Sequence, residues 1–410
     1  MRIRTVVAVL CVVLALSGAA LVAVLGGGGS LEERWVSDTA RDNRVNHHAV
    51  GADGGLVVAP VGEPGGTEGI GEFSCVLVRL DPASGGTLWR YGVPPANCTL
   101  HSLTEPAIAD VDGDGVREVL AASTEGVLFS LDADSGEEEF RVNLSSFGYA
   151  RPTVADVTDD STPEVVVSDI DGQVSVVRGD GSVVWRRALG AGVYHAPTVA
   201  DVDADGVREV VVGAANRTVA LDAGTGDLRW SVPLGSEHYE AAQADDDPAL
   251  ELVTTRLGTV RALDGADGRV EWTTNLSGTP VVRTVADGDG DGRAEAYVSY
   301  SENRVAALDA RTGEVEWTTQ LSADSRLNAP GPVLGDVDGD RDRELAVAAH
   351  DGAVSVLDPA TGEQLATYDR DVPIWTHVTL TDLDGDGDSE VLVRYGDGRV
   401  VALDYRTGTL

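Results

Sequence analysis

Residues 109–120 read ADVDGDGVREVL, with Asp110, Asp112 and Asp114 at alternate positions, Gly115 behind them and Glu118 opening an apolar run. Three carboxylates this close repel one another, and a cation is the simplest remedy. Calcium takes six to eight oxygen ligands at about 2.3–2.6 Å. Acids at positions 1, 3, 5 and 9 of a tight loop, with glycine at 6 and a backbone carbonyl at 7, converge to supply such a shell. Here the carbonyl is that of Val116 and the ninth position is Glu118. The motif returns with first positions at Asp156, Asp201, Gln243, Asp287, Asp336 and Asp382, spaced 42–49 residues apart. Four of these copies keep all four acids: Asp201, Asp203, Asp205 and Glu209; Asp287, Asp289, Asp291 and Glu295; Asp336, Asp338, Asp340 and Glu344; Asp382, Asp384, Asp386 and Glu390. With Asp110, Asp112, Asp114 and Glu118 they are the expected calcium ligands. In the copy at 336, Arg341 replaces the glycine, which counts against its turn. Two copies are degraded and expected to be weak or empty: Thr158 stands between Asp156 and Asp160, with Glu164 following, and Gln243 opens the other, with Asp245, Asp247, Pro248 and Glu251.

A second motif alternates with the first. LDPASG at 80, LDADSG at 131, LDAGTG at 221, LDGADG at 263, LDARTG at 308, LDPATG at 357 and LDYRTG at 403 are joined by a weaker VRGDG at 177. An aromatic follows four residues after the glycine: Trp89, Phe140, Trp185, Trp230, Trp272 and Trp317; the copy at 357 offers only Tyr368. One repeat reads as four short strands, for example APTVADV, EVVVGA, TVALD and DLRWSVPL, separated by the acidic loop, a hairpin turn and the glycine turn. Four antiparallel strands per repeat, in series, make a blade of a β-propeller. Eight glycine turns predict an all-β, eight-bladed propeller; seven blades with an N-terminal extension is the alternative. The last blade lacks its outer strand, and LEERWVSDT at 31–39 carries Trp35 at the aromatic position. Pairing of 31–39 with the C-terminal blade would close the ring over residues 31–410 and remove an open sheet edge. Blade one is read over 43–93, with an insertion at 63–73.

The chain has 410 residues and a formal net charge of −38, from 68 acids against 30 bases, all of them arginine. That charge excludes nucleic acid and anionic lipid as expected partners. Five bound calcium ions would move it to −28, which is −38 + 10. An acidic, lysine-free composition is similar to that of proteins from salt-loving archaea, where about 1 M salt shortens the Debye length to roughly 3 Å. Arg2 and Arg4 precede an uncharged run from Thr5 to Leu25 and then GGGGS. Residues 1–30 are thus read as a hydrophobic helix and tether, either an uncleaved membrane anchor or a signal peptide cleaved after the small residues at 17–20. Asn97, Asn143, Asn216 and Asn275 open N-glycosylation sequons, and Cys75 and Cys98 form an even pair that can make one disulfide. Both favour an exterior location.

The acidic half of the repeat resembles the FG-GAP repeats of integrin α-chains, whose loops between the first two strands bind calcium. The LDxxTGxxxW half resembles the repeats of pyrroloquinoline-quinone (PQQ) dehydrogenases and their non-catalytic relatives, including a lipoprotein of outer-membrane protein assembly. The resemblance spans roughly residues 43–410 and implies the propeller and the calcium loops. It is poor for function, since one fold serves many roles. For an enzyme it would imply adjacent cysteines over the quinone, which this sequence lacks. One further group stands near the starts of inner strands: His47, His48, His101, His195, His238 and His377, with Tyr149, Arg151, Tyr194, Tyr239, Arg283 and Trp375. Of these, His195, His238, His377, Arg151 and Trp375 are the candidates for a ligand site at one mouth of the central channel, opposite the acidic loops. The expected function is a calcium-stabilised, membrane-anchored, non-catalytic scaffold at the cell surface that binds a protein or glycan. A quinoprotein-type oxidoreductase and an adhesion or surface-layer protein are the alternatives.

Overall fold

A computed structural model describes residues 28–62, 75–99, 101–322 and 329–407. The expected N-terminal helix, the run Thr5–Leu25 and the insertion at 63–73 lie outside the described residues. Among the described residues, no helix is long and apolar enough to cross a membrane.

Among the described residues, thirty-two strands assemble into eight four-stranded antiparallel sheets. The propeller has eight blades, and the seven-bladed alternative is set aside. The fourth blade shows the plan: Thr198–Ala200, Glu209–Ala214, Arg217–Asp222 and Leu228–Val232 pair in that order from the axis outward. The two middle strands are buried on both faces, so they read as unbroken β-branched and apolar runs rather than alternating ones. The outer strand is largely exposed and alternates. The innermost strand is often only three residues long.

The closing sheet is built from both ends of the chain. Thr379–Thr381, Glu390–Arg394 and Val400–Arg406 supply three strands, and Ser30–Val36 pairs antiparallel with the last as the fourth. Ser30 lies opposite Arg406, and Val36 opposite Val401.

Tryptophans tie six of the eight blades to the next; Phe140 and Ala366 stand at that position in the other two. The indole N–H of Trp89 donates to the carbonyl of Ala133 at 2.9 Å, and Trp185, Trp230, Trp272 and Trp317 repeat the bond to Ala223, Gly265, Ala310 and Pro359. Trp35 does the same for the closing blade, donating to Pro82 at 2.7 Å. The ring needs the flat, left-handed turn of the second motif beneath it. Gly136 has φ +73°, and a Cβ there would stand 2.8 Å from the Trp89 ring. The motif's aspartate fixes the same turn: Asp132 Oδ1 accepts from the backbone N–H and the hydroxyl of Ser135. This explains the fixed spacing of LDxxTGxxxW as packing between blades. Cys75 and Cys98 are joined by a disulfide that ties the first blade to the segment leading into the second.

Candidate functional site

The seven acidic loops all lie between the first and second strands of their blades, on one face of the ring. In each, the glutamate at position 9 is buried and reaches back to the loop. Glu118 Oε2 accepts the N–H of Val111 at 2.7 Å, and Glu164, Glu209, Glu251, Glu295, Glu344 and Glu390 accept the equivalent N–H of their own loops. The aspartates fold the loop on itself. Asp110 accepts from Gly113 and Gly115, Asp112 from Asp114, and Asp114 from Val116. The turn at 336 survives the missing glycine. Arg341 itself adopts φ +78°, and its N–H reaches Asp336 Oδ2 at 3.0 Å. A non-glycine residue there costs roughly 1–2 kcal/mol, which the bond partly offsets.

These loops leave specific oxygens without a donor. Glu118 is 1% exposed, and its Oε1 has no hydrogen-bond partner; the same holds for Oε1 of Glu209 and Oδ1 of Asp201. Carboxylate oxygens of Asp110, Asp112 and Glu118 all lie within 4.8 Å of one another, as do those of Asp201, Asp203 and Glu209, and of Asp287, Asp289 and Asp291. Burial, reinforced by neighbouring acids, pushes Glu118, Glu209, Glu251, Glu295 and Glu344 up to about 7. A convergent, oxygen-only and under-donated set of this kind fits a hard divalent cation.

The degraded loops differ only in part: Asp156 Oδ1 also lacks a donor, and Asp245, Glu251 and Glu271 bring their carboxylate oxygens within 4.8 Å of one another. Thr158 donates its hydroxyl to Glu164 Oε1 at 2.8 Å, satisfying the oxygen that is bare in Glu118. Gln243 donates its amide to the carbonyls of Asp245 and Asp247. The loop at 382 also departs from the others, although its sequence is intact. Arg34, from the N-terminal strand, places Nη1 2.6 Å from Glu390 Oε1 and Nη2 2.5 Å from Asp384 Oδ2. Nothing in the spacing of the motif announces this arginine, which lies 356 positions from Glu390.

The opposite face holds a cavity of about 630 Å³ at the mouth of the channel. It brings together His195, His238, His377, Arg151 and Trp375, with His47, His48, Tyr149, Tyr194 and Arg283. Two acids that sequence reasoning missed, Glu105 and Glu240, also line it. Glu240 stands two residues after His238 on an inner strand, so the period of two would have pointed to it. Glu105 precedes its inner strand and carries no such signal. It receives Arg151 Nη1 at 3.6 Å and His377 Nε2 at 3.5 Å. Burial raises the Glu105 carboxyl, but His377, Arg151 and Arg283 outweigh it and hold it at about 2. Glu240 has no such partner contact and burial lifts it to about 7, with Arg283 opposing. Burial, with the positive field of Arg283, lowers the imidazoles: His195 falls to about 4, and His238 and His377 are also lowered, the latter against the opposing pull of Glu105.

The aromatic rim is ordered by contacts. The rings of His195 and His238 lie 4.1 Å apart, and His350 packs against Trp375 at the same distance. His47 Nε2 meets His101 Nδ1 at 2.6 Å, and Arg394, on the second strand of the closing blade, donates to the carbonyl of His48 at 2.8 Å. Trp375 is 40% exposed, although its indole N–H reaches the Arg44 carbonyl at 2.7 Å. The mouth thus presents exposed aromatic surface above a polar floor in which Glu105 pairs with Arg151 and His377, an arrangement suited to binding.

The chain matches the family model described as outer membrane protein assembly factor BamB over residues 74–158, 171–339 and 258–410. No curated protein matches it. Among solved structures it is similar to BamB from Moraxella catarrhalis, at 19% identity and TM-score 0.61, covering 93% of this chain and 99% of that one. The computationally designed protein Ika8 is similar at 17% identity and TM-score 0.63, covering 90% and 99%. A quinohemoprotein alcohol dehydrogenase of Pseudomonas putida is similar at 13% identity and TM-score 0.63, covering 93% of this chain and 77% of the enzyme. Likeness at these identities establishes the fold.

Proposed function

Since the chain belongs to the family of the outer membrane protein assembly factor BamB, we propose that it is a non-catalytic binding or assembly scaffold outside the cytoplasm. Calcium rigidifies its acidic face, and a protein or glycan docks at the channel mouth. The observation that carries this reading is the buried oxygen of Glu118 with no donor, facing the carboxylates of its loop at the rim of the ring. A metal drawn there stiffens the connection between two strands and stays away from the cavity, which leaves the cavity for a ligand. Asp110, Asp112, Asp114 and Glu118 would hold one ion, and the sets at 201, 287 and 336 would hold others. The ion supplies charge neutralisation and cross-linking of the loop. The exterior location is supported by the disulfide, by the four sequons and by the apolar run Thr5–Leu25, which we read as an anchor.

A quinone enzyme of the same fold is tested by adding calcium and pyrroloquinoline quinone to the purified chain and assaying dye-linked oxidation of alcohols and sugars. The scaffold reading expects no turnover. Turnover lost in Arg283→Ala would replace it with a quinoprotein. The positive arm is capture of partners from surface membranes in high salt. Capture should fall with chelator and in Trp375→Ala and Arg151→Ala; capture indifferent to both variants would remove the mouth from the account.

A further inference from the structure

Every outer strand carries one β-bulge, and it falls at the same rung in each blade. The register shifts between Ser130 and Leu131 in the second blade, which leaves Glu139 unpaired on the outer strand. The same shift leaves Arg229 in the fourth blade, Glu271 in the fifth, Glu316 in the sixth, Leu365 in the seventh and Arg34 in the closing blade. A bulge turns the extra side chain out of the ladder and re-aims it. Where that side chain is charged, it lies beside the acidic loop of its own blade, whereas Leu365 packs against the core.

The charged bulge residues fall into two kinds. Arg34 sits among Glu390, Asp384 and Asp404, with its guanidinium on the Oε1 atom that is bare in Glu118. Arg229 makes a weaker version, at 2.9 Å from Asp222, 3.6 Å from Asp205 and 4.0 Å from Glu209 Oε1. Glu139 instead adds its charge to Asp112, Asp114 and Glu118, Glu316 adds its charge to Asp289, Asp291 and Glu295, and Glu271 joins Asp245 and Glu251, with carboxylate oxygens within 4.8 Å of one another. A further acid beside the loop of Glu118, whose Oε1 already lacks a donor, adds to the repulsion there, whereas the guanidinium of Arg34 in the same place offsets it.

We propose that the bulge residue selects the cation of its blade: Arg34 stands in for the metal in the closing blade, whereas Glu139 and Glu316 lend an additional carboxylate to a bound divalent ion. This rests on the calcium reading of the loops. It makes the latch between the chain ends independent of calcium, while blades two and six, formed from continuous chain, depend on it.

The test is equilibrium dialysis of the full-length chain against radiolabelled calcium, at constant ionic strength. Arg34→Gln should bind one more ion per chain than wild type, and Arg34→Lys the same number as wild type. Glu139→Gln should weaken one site by about tenfold without changing the count. Wild type that binds no calcium overturns the parent reading. Wild type that binds calcium, with Arg34→Gln and Glu139→Gln both unchanged, overturns the bulge assignment alone. If Arg34→Gln fails to fold, Glu139→Gln and Glu316→Gln, on exposed outer strands, decide the matter by the same affinity readout.

Discussion

The loops DVDGDGVRE at 110–118 and DLDGDGDSE at 382–390 are nearly the same sequence, yet they settle their charge differently. Both close on a buried glutamate, 1% exposed at Glu118 and 4% at Glu390, and both give that glutamate the same backbone bond at 2.7 Å. They differ at one oxygen. Glu118 Oε1 has no donor, whereas Glu390 Oε1 holds Arg34 at 2.6 Å. Glu118 is consequently pushed up to about 7 by burial and neighbouring acids. At Glu390 burial also raises the carboxyl, but Arg34 opposes it. The lesson is that a cation site is defined by what the rest of the fold brings to a loop, and here a strand from the far end of the chain brings a cation of its own.

The largest effect that sharpens this contrast is expected at Trp35, the closing blade's counterpart of the blade-to-blade tryptophans. Trp35→Ala removes a side chain only 6% exposed and its bond to Pro82, and should cost about 3–5 kcal/mol in chemical denaturation. The loss should be equal with calcium and with EGTA, because no metal shares that contact. A loss confined to the EGTA sample would break the contrast.

Next is Arg34→Ala, which strands a buried carboxylate and should cost about 3 kcal/mol in EGTA. Saturating calcium should restore part of that, since the emptied loop then matches the loop at 110. An unchanged cost in calcium would mean that the two loops are not equivalent in their chemistry.

A smaller, sign-changing effect separates the two glutamates. Glu118→Gln should stabilise the calcium-free protein by about 1 kcal/mol, by removing a desolvated charge among acids, and destabilise the calcium-loaded protein. Glu390→Gln should destabilise both forms by about 1–2 kcal/mol, because Arg34 loses its strongest partner. Paired melting curves with calcium and with EGTA read both.

Most of the ring was legible because its repeat is physical. Two buried middle strands give unbroken apolar runs, and the tryptophan must land on the next blade's glycine turn, so spacing and packing carry the same information. The mouth residues His195, His238 and His377 were found for a related reason, as each precedes or opens an inner strand. Arg34 could not be found that way. Its role depends on the bulge at Glu33 and Trp35 and on which blade the N-terminal strand joins, and neither is written in the loop it neutralises. Arg341 misled in the opposite direction, because a bond to Asp336 stabilises a backbone conformation that its side chain disfavours. Glu105 escaped notice since its partners, Arg151 and His377, come from other blades.

The smallest expected effect marks the two faces as independent. At the mouth, His195 has a folded value of about 4 against an unfolded 6.5, so its contribution is complete above pH 6.5 and is lost as pH falls toward 4. Glu105 adds a second loss as pH falls from 4.5 toward 2. Glu240 acts in the opposite sense, favouring the folded state below pH 4.5 and losing that contribution as pH rises through about 7. The part of acid destabilisation between pH 6.5 and 4 that His195→Ala removes should be the same with calcium and with EGTA. A difference would couple the mouth to the loops.

The most direct measurement of the central claim is thermal melting of the purified full-length chain, with calcium or with EGTA, at matched high ionic strength. The account predicts a substantially higher Tm with calcium, by mass action on the folded state alone, with magnesium a poor substitute because its smaller shell prefers near-ideal octahedral geometry. Identical melting curves in calcium and EGTA would contradict it.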